Sequence, residues 1–241
     1  MQALQMHWKV MEINCFLDTN VLIAYIFSLD NSNELSQKFL KQEHDYFISI
    51  NVKEEVKAIF KNKNREYSEF LLKLIKRIRE NENSFFISNE KIHKIINRFD
   101  QIGKLKNEDM HKSFDKIWKE YDLSENFECE KLIKLLNRFY RNLDSSQHIR
   151  KNKICNAVVE IDNHRFKDQK VKRIIEKENL REILHDKDED ILFDAHEYAK
   201  HHPELDLCFV SWDDDFIKAV KILLSQLSFK KYIGRYESNI E

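Results

Sequence analysis

The chain has 241 residues, 42% hydrophobic and 34% charged, with a formal net charge of −1. That is enough apolar material for a core, either one large domain or a core with a subdomain. No apolar run approaches the roughly 18 residues of a membrane span, and the opening "MQALQMHWKV" lacks the apolar centre of a secretory signal, so neither a spanning nor a secreted protein is expected.

Only two Gly and one Pro punctuate the chain, which predicts long helices with soft boundaries. Residues 1–10 read as an extension. A first strand is expected over Glu12–Leu17 and a helix over Val21–Leu29. "SNELSQKFLKQE" places Leu35, Phe39 and Leu40 at helical spacing, with Asn31 or Ser32 as cap. "DYFISI" reads as a second strand, and a long helix is expected from Asn51 to about Glu80. After the extended "SFFIS", residues 89–182 carry helical stripes such as Leu132, Leu135, Leu136 and Phe139. A helix over Asp186–His201, the strand "DLCFVS", the helix "DDDFIKAVKILLSQL" and the strand "FKKYIG" complete the chain. Strands alternating with helices predict an α/β fold built on a parallel sheet. The middle then reads as a helical insertion or lid.

Charge is unevenly spread. Between Lys61 and Glu182 there are 29 Lys and Arg against 21 Asp and Glu, while the remainder carries 12 against 21. A polyanion could lie on the basic part while acidic groups elsewhere hold metal. Cys15, Cys129, Cys155 and Cys208 are scattered and form no CxxC. They read as reduced thiols of a cytoplasmic protein rather than disulfides or zinc ligands.

Four carboxylates stand out. Asp18 is the one charge in "NCFLDTNVLIAY", directly after a strand, and a buried carboxylate is costly unless paired or bound to a cation. Asp213 repeats the arrangement in "SWDDDF". Ligands in open α/β sheets bind beyond the carboxyl ends of the strands. At ~100° per residue Glu55 falls on the edge of the Val52–Val56–Ile59–Phe60 stripe, while Glu54 faces water. Asp188 lies on the Ile191–Leu192–Ala195–Ala199 stripe, with Asp190 pointing away and Asp194 flanking. Asp186 and Glu189 form a D-x-x-E capping box, which leaves Asp188 for another task. Each acid taken singly can also be a helix cap or a solvated surface group.

Taken together the segments resemble the PIN-domain nucleases. "FLDTNVLI" matches the family's hydrophobic-D-T/S-N-hydrophobic opening, and "ISINVKEEV" its S-x-x-V-x-x-E segment. "DEDILFDA" fits D-x-x-I-x-x-x-A, and "FVSWDDDF" the hydrophobic-T/S-x-D-x-D-F ending. The resemblance covers about residues 11–60 and 183–235, so it implies a three-layer α/β/α core over 11–60 and 183–241. Residues 61–182 would be a basic helical insertion far longer than in compact members. It implies Asp18, Glu55, Asp188 and Asp213 as catalytic, metal-binding acids, Asp215 as a further ligand, and Asn20 and Ser211 in support. Mg²⁺ or Mn²⁺ would be the cofactor, since hard carboxylate oxygens suit both. RNA is the implied substrate, with single-stranded DNA as a second. An inhibitor or antitoxin protein and a homodimer are the implied partners, and a toxin or RNA-processing enzyme the implied role. The alternative within the family is an inactive scaffold that binds RNA or protein. An aspartate-nucleophile phosphatase also opens on strand-Asp, but needs a second Asp where this chain has Asn20.

For the insertion, Lys73, Lys76, Arg77 and Arg79 crowd one helix and are candidate substrate-binding cations. Tyr67, Phe70, Trp118, Phe139, Tyr140 and Phe166 are aromatics able either to stack bases or to pack a helical core.

Overall fold

A computed structural model of the chain describes residues 13–42, 44–80, 85–163 and 167–235. The expected extension at 1–10, Glu12 of the first strand and Phe166 lie outside these residues. In chain order the elements are β1 (Asn14–Leu17), α1 (Thr19–Ile26), α2 (Asn33–Phe39), β2 (Asp45–Ser49), α3 (Ile50–Glu80), β3 (Phe86–Ser88), α4 (Asn89–Ile96) and α5 (Asn107–Glu120). There follow β4 (Asn126–Glu128), α6 (Cys129–Ala157), β5 (Val159–Ile161), α7 (Gln169–Lys177), α8 (Asp186–His201), β6 (Cys208–Val210), α9 (Asp214–Leu223) and β7 (Lys231–Ile233). No helix is long and apolar enough to cross a membrane among the described residues.

The chain divides into two compact units. The first holds the chain up to Val21, Leu35–Lys53 and everything from Ala157 on. Its five-stranded sheet runs β5-β2-β1-β6-β7, and every pairing is parallel. This is the α/β fold with a parallel sheet that the alternation predicts. β1 is central because its residues suit burial on both faces: Cys15, Phe16 and Leu17 are all inaccessible to solvent. Phe16 stacks on Phe209 of β6 with ring centroids 5.9 Å apart, and Phe209 meets Phe216 at 5.0 Å and Phe229 at 5.4 Å. Cys15 and Cys208 are register partners on β1 and β6, and both thiols are free. The Cys208 thiol beside it and burial push the Cys15 thiol far above its ordinary range.

β5 corrects one expectation. Val159–Ile161 falls inside the stretch 61–182 read as a helical insertion, yet it pairs with β2 through Phe47↔Val159 and Ser49↔Ile161. Three residues beside Asp162 and Asn163 are too few for any period to register, so the strand is invisible to pattern reading. Side chains fix its place: Asn51 and Asn163 exchange hydrogen bonds at 3.0 Å, and Lys53 pairs with Glu160.

The second unit comprises Leu22–Glu34 and Glu54–Asn156. α3 runs 31 residues without Gly or Pro, and its apolar positions Val56, Phe60, Tyr67, Phe70, Leu71, Leu74 and Ile78 fall on one helical stripe and are buried. Phe27 packs on Phe60 and Tyr67 at 5.5 and 5.9 Å. α6 buries Leu132, Ile133, Leu136, Leu143 and Ile154 in the same fashion. An antiparallel ribbon, β3 with β4, pairs Ile87 with Phe127. Gly103, between α4 and α5, has φ +58°, and a Cβ there would collide with the Glu66 carboxylate. That carboxylate accepts the Lys104 N–H at 2.8 Å, so the glycine lets backbone and acid meet.

Candidate functional site

The order β5-β2-β1-β6-β7 means that the chain leaves β1 toward β2 on one side and reaches β6 on the other. A topological switch point of this kind opens a crevice at the carboxyl ends of the two strands. Asp18 immediately follows β1, and Ser211, Trp212 and Asp213 follow β6. The two ends are joined directly, since the Asp18 N–H donates to the Val210 carbonyl at 3.0 Å.

Asp18 is 3% exposed, and hydrogen-bond donors converge on its carboxylate. Oδ1 accepts the Thr19 N–H at 2.6 Å, while Oδ2 accepts Asn20 Nδ2 at 2.5 Å and the Ser211 hydroxyl at 2.7 Å. Asn20 Nδ2 also donates to Ser211 Oγ at 3.0 Å, and its Oδ1 accepts the Trp212 N–H at 2.8 Å. That last bond fixes the amide's orientation, because a backbone N–H can only donate. Ser211 Oγ further accepts the Asp213 N–H at 3.1 Å. The indole of Trp212 is 2% exposed and donates to Ser36 Oγ at 2.6 Å, which in turn donates to the Val21 carbonyl at 3.1 Å. The result is a continuous polar network linking Asp18, Asn20, Ser211 and the backbone of Trp212 and Asp213, anchored on a buried tryptophan.

Asp213 is exposed, and its Oδ1 caps α9 by accepting the N–H groups of Asp215 and Phe216 at 2.9 and 3.1 Å. Asp215 is exposed and ion-paired with Lys218 at 2.7 Å. Asp188 is half-buried on the first turn of α8, and its Oδ2 accepts the His185 N–H at 3.1 Å. The cap therefore falls to Asp188, not to the Asp186/Glu189 pair that the D-x-x-E spacing suggests. Glu189 is instead buried and holds Lys167 at 3.1 Å, and Lys167 also bridges to Asp190 at 2.7 Å. Helical phase places Asp194 on the flank, yet it is 1% exposed and accepts Asn51 Nδ2 at 2.9 Å. α8 is buried along Ile191–Glu197 and has no solvent-exposed side there, so a single stripe underestimates its contacts. Glu55 lies half-buried on α3 in the second unit, and Glu54 faces solvent as its phase predicts.

A second cluster in the first unit escapes sequence reading. Asp168, His196 and Glu197 bring ligand atoms within 4.8 Å of one another, the only such group of three among the described residues; Asp18, Asp188 and Asp213 do not come that close. His196 and Glu197 are neighbours on α8, but Asp168 comes from the start of α7, in a polar stretch with no local signal. The chemistry does not fit a metal. His196 Nδ1 accepts the Ser228 N–H at 3.0 Å, so Nε2 carries the ring proton and has no lone pair to give. Lys200 already supplies a cation, 3.2 Å from Asp168 and 3.4 Å from Glu197. The Lys170 N–H and Lys200 pull the Asp168 carboxyl down to about 2, and burial pushes the His196 ring below its ordinary value.

In the second unit the four candidate cations of α3 separate. Lys73 pairs with Glu69, and Lys76 and Arg77 with Glu80. Arg79 alone lines a cavity, shared with side chains of α6. Tyr67 and Phe70 are core residues at 3% and 0% exposure and cannot stack bases, and Trp118 packs on Phe114 at 5.5 Å.

Comparison with family models, curated proteins and solved structures gives no match to this chain.

Proposed function

We propose that the chain is a metal-dependent endoribonuclease with a three-layer, PIN-like core, working at the carboxyl ends of β1 and β6. One observation carries the reading: an aspartate follows each of two adjacent parallel strands at the switch point of the sheet, and one serine hydroxyl links them. The donor set there is hard oxygen without His or Cys, which suits Mg²⁺ or Mn²⁺. Asp18 and Asp213 would hold the ion, with Asp188 and Asp215 as the further acids of the first unit. Asp213 commits only Oδ1 to its helix cap. Bound there, such an ion lowers the pKa of a water and offsets charge on the phosphodiester. Asn20 and Ser211 hold the Asp18 carboxylate in one orientation, which is the preorganisation such a site needs. The implied inhibitor protein, homodimer and toxin role belong to the same proposal.

The competing reading, a PIN-like scaffold that binds RNA or protein without cleaving it, is favoured by the capping duties of Asp188 and Asp213. Cleavage separates the two. With Mn²⁺ the purified protein is expected to cut a single-stranded RNA. Asp18→Asn and Asp213→Asn are expected to slow it by at least the roughly 100-fold that losing even a supporting contact can cost. Chelator-resistant cleavage, or variants cutting at the wild-type rate, would remove the catalytic assignment.

A further inference from the structure

The cavity on the second unit has a volume of about 740 Å³ and is lined by Arg79 of α3 together with Glu130, Lys134, Asn137, Arg138 and Arg141 of α6. Four cations thus face one carboxylate. That carboxylate is already spoken for, because Glu130 pairs with Lys134 at 2.6 Å. Arg79, Arg138 and Arg141 are exposed and make no ion pair among the described residues. Elsewhere on the second unit several lysines do sit on a carboxylate three or four residues away. Such pairs stabilise a helix only slightly, yet they neutralise it, and the three arginines gathered at the cavity have none among the described residues.

Spacing turns these charges into a track. Lys134, Arg138 and Arg141 stand four and three residues apart, on one face of α6. At ~1.5 Å rise per residue they span ~10 Å, which covers about three to four successive phosphates of a stacked strand rising ~3.4 Å per nucleotide along its axis. Arg79 faces them from α3 across the cavity. Guanidinium groups bind phosphate through two parallel N–H donors, which suits Arg rather than Lys for this task. No aromatic side chain lines the cavity, so it offers no ring on which a base can stack.

We infer that the α3/α6 cavity is a binding track for the sugar-phosphate backbone of a nucleic acid strand, engaging about three phosphates through Arg79, Arg138 and Arg141 without reading sequence. The inference rests on the nucleic-acid reading of the chain and extends it to a site that acts by binding alone.

The test is fluorescence anisotropy with a labelled 20-nucleotide oligo(U) RNA over a range of KCl concentrations, in EDTA so that no cleavage enters. For single strands each phosphate contact contributes about 0.7 to the slope of log Kd against log salt. The variant Arg79→Gln/Arg138→Gln/Arg141→Gln is expected to lower that slope by about 2 and to weaken binding roughly 100-fold at 0.1 M salt. The Arg→Lys triple variant, which keeps the charge, is expected to hold the slope and serves as control for folding. A Gln variant binding within twofold of wild type, or a Lys variant losing the slope, overturns the inference. So does a preference above about tenfold for one base sequence, or competition by polyglutamate as effective as by RNA, which would make an acidic protein the occupant. Because binding is read in EDTA, failure of the cleavage experiment leaves this result standing, and the reverse also holds.

Discussion

Replacing Asp18 by Asn asks what the buried carboxylate does in the absence of metal. The side chains are nearly isosteric, so the change trades one acceptor oxygen for a donor NH₂ at constant volume. With its carbonyl toward Asn20 and Ser211, the new amide keeps two bonds and turns its NH₂ against the Thr19 N–H, which loses the acceptor it now has at 2.6 Å. A buried donor left without a partner costs about 1–3 kcal/mol, and bonds to a charged group exceed neutral ones by about 1 kcal/mol each. The expected loss is therefore about 3–5 kcal/mol, large against a typical total of about 5–15 kcal/mol. Urea unfolding in EDTA measures it, with an unchanged m-value showing that the native state is otherwise intact. If Asp18 were instead an uncompensated charge waiting for a cation, removing it would relieve desolvation and stabilise the metal-free protein. An Asp18→Asn variant as stable as wild type in EDTA would refute the account of the network. With saturating Mn²⁺ the wild type alone should gain stability, by about 2.7 kcal/mol when the ion is at 100 times its Kd.

Gly103→Ala should cost about 2–4 kcal/mol, because it places a Cβ at positive φ and drives Glu66 off the Lys104 N–H; a change under 0.5 kcal/mol would disprove the close approach. His196 resists protonation in the folded state through burial, although Glu197 and Asp168 face it along with Lys200. Below about pH 6.5 the unfolded chain takes up a proton that the native state does not, so stability should fall with pH by at most about 1.4 kcal/mol per unit. His196→Gln should flatten that slope between pH 7 and 5, as followed by urea titrations; an unaltered slope would assign it to other groups.

Strong local signals carried much of the architecture. β1, α8 and β6 are found where apolar runs and helical spacing put them, and α3 emerges from a Gly- and Pro-free stretch with a single stripe. β5 was not legible, since its three residues owe their strand state to pairing with β2 rather than to their own preference. Asp18 and Asn20 are joined to Ser211 by hydrogen bonds across 193 and 191 residues of sequence. The Trp212–Ser36 bond joins residues 176 apart and has no trace in any window of sequence. Charge counting located the basic part of the chain but could not separate Arg79 from Lys73, Lys76 and Arg77. That distinction depends on which carboxylate each side chain reaches.

The pairing of β2 with β5 also bears on how the chain reaches its fold. Asn51 and Asn163, which close that edge of the sheet, are 112 residues apart. Closing a loop of that length costs about 4 kcal/mol in chain entropy beyond a constant, against about 2 kcal/mol for a minimal crossover of a dozen residues. Contacts so distant form late unless the intervening segment has already compacted. Until β5 arrives, β2 presents an open edge of unpaired N–H and C=O groups with Tyr46, Phe47 and Ile48 along it. Refolding yield should therefore fall with protein concentration, and aggregation should begin by another chain adding its strand at β2.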